Sequence, residues 1–307
     1  MMLGIRLLLA GLLLFQVPYT LKLDVPVVSV DVTVVDSKGN LVNDLSKADF
    51  TIHENGVAQD VRFFSPVSAP YNVFLLFDSS GSTHENRGFM RNAVNKLFEQ
   101  LRPQDSIAMG SFDDDFRLNL RWSTDRTKAA AALTDIMRPR QSSDTRFYAS
   151  LDRTLRREFK GVAGRRAVVV LTDGKDTPFF YESNGALKKA LQSSREQRIP
   201  IYIVALQSEA GVPVLFPSTL EYLKAVRLNM QRFAENSGGE LLYPKNLDDV
   251  TRLYEEIGRR LGTAYSLGYV PPISRPDGRF HKIEIKTRRE GLRLVQSRSG
   301  YDTLESR

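Results

Sequence analysis

Three apolar runs constrain this chain more than anything else in it. Residues 73–77 read VFLLF, 167–171 read AVVVL and 200–206 read PIYIVAL. A strand with no polar face must be covered on both sides, which is the situation inside a parallel sheet flanked by helices. The segments between the runs carry the helical period needed to cover it. Met90, Val94, Leu97, Phe98 and Leu101 share one face, and so do Ala129, Leu133, Ile136 and Met137, with Thr124 placed to cap that helix. A further helix starts near Thr145. Leu223, Val226, Met230 and Phe233 mark another over 219–235, stopped by Gly238-Gly239 before the short strand GGELLYP. Val250, Tyr254, Ile257 and Leu261 mark the last, over 247–261. SIAMGSFDDDFRLNL reads as a hairpin turning at Asp113–Asp115. Residues 71–262 are therefore expected to form an α/β domain, a Rossmann-like, open, mostly parallel sheet with helices on both faces.

The flanks have a different period. Residues 25–66 hold β-branched runs separated by Asp36-Ser-Lys-Gly-Asn and by Asn55-Gly56, the latter a strong hairpin signal. Residues 263–302 return to the same pattern in AYSLGYVPP, FHKIEIKTRRE and LRLVQSRSGY. Neither flank alone has the strands to bury a core. The expectation is that the two pair as a small β-sandwich into which the α/β domain is inserted, with SPVSAP as the entry linker. Ahead of them, Arg6 precedes an apolar run from Leu7 to Phe15. As a helix that run spans about 14 Å, against the roughly 30 Å of a bilayer core. Residues 1–20 are read as a secretory signal or short anchor, which places the protein outside the cell or in the envelope.

Composition removes several functions. With no cysteine, thiol catalysis, disulfides and thiolate metal sites are excluded. The net charge of +7 favours acidic partners. Arg153, Arg156, Arg157 and Lys160 cluster on one helix, but sparse aromatic interleaving there weighs against nucleic acid and for a solvated face.

The chemistry gathers where the apolar runs end. Sites in open α/β sheets form beyond the carboxyl ends of the strands. Asp78 follows VFLLF and begins D-x-S-x-S with Ser80 and Ser82, and Asp173 follows VVVLT in LTDGKDT. Two carboxylates about 5 Å apart at an effective dielectric near 20 repel by roughly 3 kcal/mol. A divalent cation would remove that cost. The donors are hydroxyls and carboxylates, and His53, His84 and His281 are scattered, so the expected ion is Mg2+, with Mn2+ or Ca2+ as substitutes.

D-x-S-x-S after a central strand, a threonine in a later loop (Thr145 in SSDTRFYASL) and an aspartate ending a further strand (Asp173) together resemble the metal-ion-dependent adhesion site of von Willebrand factor A domains. The likeness covers about 71–262, and the flanking β segments resemble bacterial secreted proteins of that type. It implies that Ser80 and Ser82 bind the metal through their hydroxyls and that Thr145 binds directly or through water. Asp78 and Asp173 would orient waters and serines from behind. The position left open would accept an Asp or Glu carboxylate from a protein partner, making the chain an adhesion or scaffolding module without enzymatic activity. Arg146, where small residues are frequent in the family, either crowds that position or helps hold the incoming carboxylate.

The rival readings are a structural module with a non-functional metal site and a metal-dependent hydrolase. No G-x-S-x-G elbow and no G-x-x-x-x-G-K-[ST] loop occurs, and His84 lies too near Ser82 in sequence to serve readily as its base. Asp113–Asp115 read as turn residues more readily than as extra metal ligands.

Overall fold

The computed structural model describes residues 27–81, 87–138, 144–176, 185–197, 199–206, 217–272 and 278–302. The N-terminal flank supplies β1 (Val28–Val35), β2 (Phe50–Glu54), β3 (Val57–Gln59) and β4 (Phe63–Ser65). The central body follows as β5 (Tyr71–Asp78), α1 (Arg87–Gln100), β6 (Ser106–Phe112), β7 (Phe116–Ser123), α2 (Arg126–Ile136) and α3 (Phe147–Arg153). It continues with β8 (Arg165–Thr172), α4 (Gly185–Gln197), β9 (Ile201–Ala205), α5 (Pro217–Ser237), β10 (Glu240–Leu242) and α6 (Leu247–Thr263). The C-terminal flank is β11 (Ala264–Tyr269), β12 (Phe280–Thr287), β13 (Arg293–Gln296) and β14 (Gly300–Asp302).

The central sheet runs β10-β9-β8-β5-β6-β7, parallel throughout except for the edge strand β7. The apolar runs occupy its middle. Alternate residues face opposite ways. Val73, Leu75, Phe77, Val169 and Leu171 pack under α1, α2 and α6, while Phe74, Leu76, Val168 and Val170 pack under α3, α4 and α5. The fold class expected from the sequence is the one observed.

The α2 cap differs from expectation by one residue. Asp125, not Thr124, caps the helix, accepting from the N–H groups of Thr127 and Lys128. Both are good capping types, and the aspartate has the carboxylate that reaches two donors at once. After α3 the chain makes one wider, π-type turn, Thr154–Glu158. Two of the basic residues around it are paired locally, while Arg157 and Lys160 are exposed. Arg153 pairs with Glu158 and lies over the Phe116 ring, and Arg156 pairs with Asp152 and Glu196.

The flanks join. β1 lies between β11 and β13, and β12 lies between β2 and β14, so strands from both ends of the chain share each of two four-stranded sheets, alternating in β13-β1-β11-β4 and pairing two with two in β14-β12-β2-β3. Val28, Val30, Val32, Ile52, Tyr265, Leu267, Ile283 and Ile285 form one core between them. The β2–β3 turn is the one the sequence marks, with both Asn55 and Gly56 at positive φ (50° and 84°), as a two-residue primed turn requires. A buried polar knot crosses this core. Glu54 accepts from the hydroxyls of Tyr269 and Tyr301, and its Oε1 lies 2.9 Å from His281 Nδ1.

The sandwich joins the central body at the end of the sheet where β5 and β8 begin. α6 runs straight into β11 with no intervening residue. Arg165, the first residue of β8, donates to the carbonyls of Val67, Ala69, Leu261 and Ala264, and its guanidinium lies 4.2 Å over the Tyr71 ring. Tyr71 passes the connection on by donating to Asp31 Oδ2 at 2.7 Å. The opposite end of the sheet, where β5 and β8 finish, carries Asp78 and Asp173.

Candidate metal centre

β5 and β8 are hydrogen-bonded neighbours at the middle of the sheet, with Phe77 opposite Leu171. Asp78 and Thr172 are therefore the last residues of two adjacent strands, and Asp173 is the first beyond. Both acids are buried, as are Ser80 and Thr145. Thr172 Oγ1 donates to Asp78 Oδ2 at 2.7 Å and accepts from the Gly174 N–H at 2.9 Å. The Ser80 N–H donates to Asp78 Oδ1 at 3.0 Å. These bonds fix the orientation of the Asp78 carboxylate and turn the chain so that the serine lies beside it.

The loops around this point brace one another. The N–H and the hydroxyl of Ser79 both donate to the carbonyl of Phe112, at 2.8 and 3.0 Å, tying the loop after β5 to the end of β6. The Arg146 N–H donates to the Asp113 carbonyl at 2.7 Å, tying the Thr145 loop to the β6–β7 hairpin. The Tyr148 N–H donates to Asp176 Oδ1 at 3.0 Å, tying the first turn of α3 to the loop after β8. The structure thus brings Asp78, Ser80, Thr145 and Asp173 to one end of the sheet. Ser82 and His84 lie outside the described residues, as does the apolar run at residues 7–15.

One contributor is not among the residues expected from the sequence: Thr172 closes an apolar strand, and a hydroxyl there, next to an acid on the adjacent strand, is a usable signal. Asp113 is a turn former, as expected, but it is fully buried and packs against Ser79 as well. Although burial acts to raise its pKa, the bond from Arg117 holds it below the usual carboxylate range. It is consumed by a cation of its own hairpin.

Gly174 gives the loop after β8 its shape. Its φ is 75°, and a Cβ there would fall 2.5 Å from Met230 Sδ and 2.9 Å from Val226 Cγ1. Only glycine fits. The reversal carries the Lys175 N–H back to Asp173 Oδ1 at 3.1 Å and the Lys175 ammonium to Asp173 Oδ2 at 3.1 Å.

The electrostatic cost of crowding two acids shows at Asp78. Burial, and then the charge of Asp173, push the Asp78 carboxyl up to about 7, against the opposing bonds from Ser80 and Thr172. A cation near both acids would remove this penalty. Among the described residues no three His, Cys, Asp or Glu side chains converge as a metal cage. The donors at this end of the sheet are hydroxyls and two carboxylates, which fits a hard divalent ion that retains water better than it fits a thiolate or imidazole metal.

Comparison with known proteins agrees with this architecture. Residues 72–240 match the profile of the von Willebrand factor type A domain, more than half of the 307-residue chain, and the chain belongs to that family. Among solved structures it resembles a von Willebrand factor type A protein from Catenulispora acidiphila, at 12% identity and a TM-score of 0.52, over 91% of this chain and 74% of that one. It also resembles proximal thread matrix protein 1 from the mussel byssus, solved with a zinc-occupied metal-ion-dependent adhesion site. That match has 14% identity and a TM-score of 0.50, over 66% of this chain and 48% of the other, so the chain spans about half the length of the mussel protein. Identities this low show the fold alone. No curated protein matches in sequence.

Proposed function

We propose that the chain is a divalent-metal-dependent protein-binding module whose ion accepts an Asp or Glu carboxylate from a protein partner. The observation that carries this reading is the burial of Asp78 and Asp173 at the ends of adjacent central strands, with the Ser80 and Thr145 side chains at the same end of the sheet. Ser80, Ser82 and Thr145 would hold the ion, and Asp78 and Asp173 would orient its waters and the hydroxyls. Holding the ion through neutral hydroxyls leaves most of its charge unneutralised, so an external carboxylate is a favourable ligand. Mg2+ is the ion proposed, with Mn2+ and Ca2+ as substitutes. The N-terminal segment would direct the chain to the envelope or the exterior, where such a partner would be met. Binding, not turnover, is the activity proposed.

Calorimetry on the chain lacking residues 1–20 is expected to show one Mg2+ or Mn2+ bound per chain at millimolar or lower concentration. Asp173→Ala and Ser80→Ala are each expected to lose at least tenfold in metal affinity and all EDTA-sensitive capture of partner proteins from an envelope fraction, with an unchanged circular dichroism spectrum. No heat with either ion would leave the chain as a structural module. Ester or phosphate turnover abolished by Ser80→Ala would make it a hydrolase.

A further inference from the structure

Asp173 does not wait for a metal with its oxygens bare. Among the described residues its side-chain bonds are both to Lys175, whose N–H donates to Oδ1 and whose ammonium lies against Oδ2, each at 3.1 Å. The two are separated only by Gly174, whose positive φ folds the lysine back over the acid, and that fold is enforced because any larger residue would strike Met230 and Val226. The Lys175 side chain remains 39% exposed, whereas that of Asp173 is 6% exposed. The ammonium therefore approaches from the solvent side onto a buried carboxylate and has somewhere to go when displaced. No other basic side chain is paired with Asp173 among the described residues.

We infer that Lys175 is a built-in counter-cation of the metal centre, which neutralises Asp173 when the centre holds no ion and is displaced when a divalent cation arrives. The inference rests on the metal-binding reading above and adds a competitor to it. A tethered monovalent cation and a free divalent one compete for the same negative charge. The lysine thus lowers apparent metal affinity while keeping the metal-free loop ordered. Displacement leaves the ammonium at the mouth of the site, one residue beyond the glycine hinge.

Two measurements on the chain lacking residues 1–20 test this. In Mn2+ calorimetry, Lys175→Met, which keeps the apolar stem and removes the charge, is expected to bind roughly twofold to fivefold more tightly than wild type, the scale of a partly exposed ion pair. Lys175→Arg is expected to stay near wild type. The gap should narrow as salt rises from about 0.02 to about 0.5 M, because the competing pair is screened. In the second measurement, amine acylation read by mass spectrometry should label Lys175 slowly in EDTA and faster when Mn2+ is saturating. Equal Mn2+ affinity in wild type and Lys175→Met, or weaker binding by the variant, would overturn the inference while leaving the metal centre standing. So would Lys175 labelling that ignores the metal. Absence of Mn2+ binding by both proteins would instead remove the metal reading and this inference with it.

Discussion

Arg165→Met is expected to cost about 3–5 kcal/mol of stability, the scale of uncovering a buried ionic hydrogen-bond set. Arg165 is buried at the first position of β8, and its bonds go to four backbone carbonyls drawn from three places: the entry linker (Val67 and Ala69), the end of α6 (Leu261) and the start of β11 (Ala264). Methionine fills the stem but donates nothing, so the acceptors lose a charged partner in a region closed to water. Arg102 also donates to the carbonyls of Val67 and Ala69, so the loss falls mainly on Leu261 and Ala264, and a buried carbonyl without a donor costs about 1–3 kcal/mol. The stacking of the guanidinium on Tyr71 is lost too, worth about 0.5–2 kcal/mol. Because the acceptors belong to both entry and exit of the inserted domain, the loss should separate the two bodies before either unfolds. Urea unfolding followed by Trp122, the only tryptophan and one that lies on β7 of the central body, should then no longer coincide with unfolding followed by far-ultraviolet circular dichroism. Arg165→Lys supplies charge without the fork and should recover only part of the loss. A loss below about 1 kcal/mol with coincident transitions would show that the junction does not depend on this residue.

This junction also shows where sequence reasoning reaches its limit. RRAVVVL announces a buried strand, because its apolar content has no other use. It does not say that the first arginine is buried under Tyr71, since the acceptors lie about a hundred residues away on either side and no local pattern encodes them. Asn55-Gly56 and the Asp113–Asp115 turn were readable because turn chemistry is local, and the α1 stripe was readable because a helix face repeats within a few residues. The site was readable to the same extent. Asp78 and Ser80 are two residues apart and announce each other, and Asp173 joins them as the acid that ends a second apolar strand, whereas Thr145 needed the resemblance to be connected with them. Lys175 sat in plain view in LTDGKDT, but its contact depends on the handedness of one glycine, which sequence pattern alone does not specify. The Asp125 cap was missed by one position because adjacent threonine and aspartate are both competent and only the carboxylate's reach decides between them.

Asp78→Asn should separate what the carboxylate does for stability from what it does for binding, with effects of opposite sign. In the metal-free chain the carboxylate is a burden: burial first, and Asp173 second, raise its pKa from 3.8 to about 7. A raised acid pKa means the folded state holds the proton to higher pH than the unfolded chain, so metal-free stability should fall as pH rises from about 4 to about 7 and then level off. Asparagine removes that part of the slope. It keeps an oxygen for the Ser80 N–H but presents a donor to Thr172, whose hydroxyl hydrogen then loses its acceptor. The net gain above pH 7 is therefore expected to be about 1–2 kcal/mol, less than the full relief of the charge. With metal the order should reverse. A ligand bound by the folded state alone at a hundred times its Kd adds about 2.7 kcal/mol to wild type. The variant, lacking the charge that makes the ion welcome, should gain close to nothing. Thermal unfolding at pH 8, with EDTA and with saturating Mn2+, would place the variant above wild type in the first condition and below it in the second. If Asp78→Asn were less stable than wild type in EDTA, the carboxylate would be a structural hydrogen-bond acceptor first. The burial of two acids at the end of the sheet would then no longer count as a cost that a cation relieves.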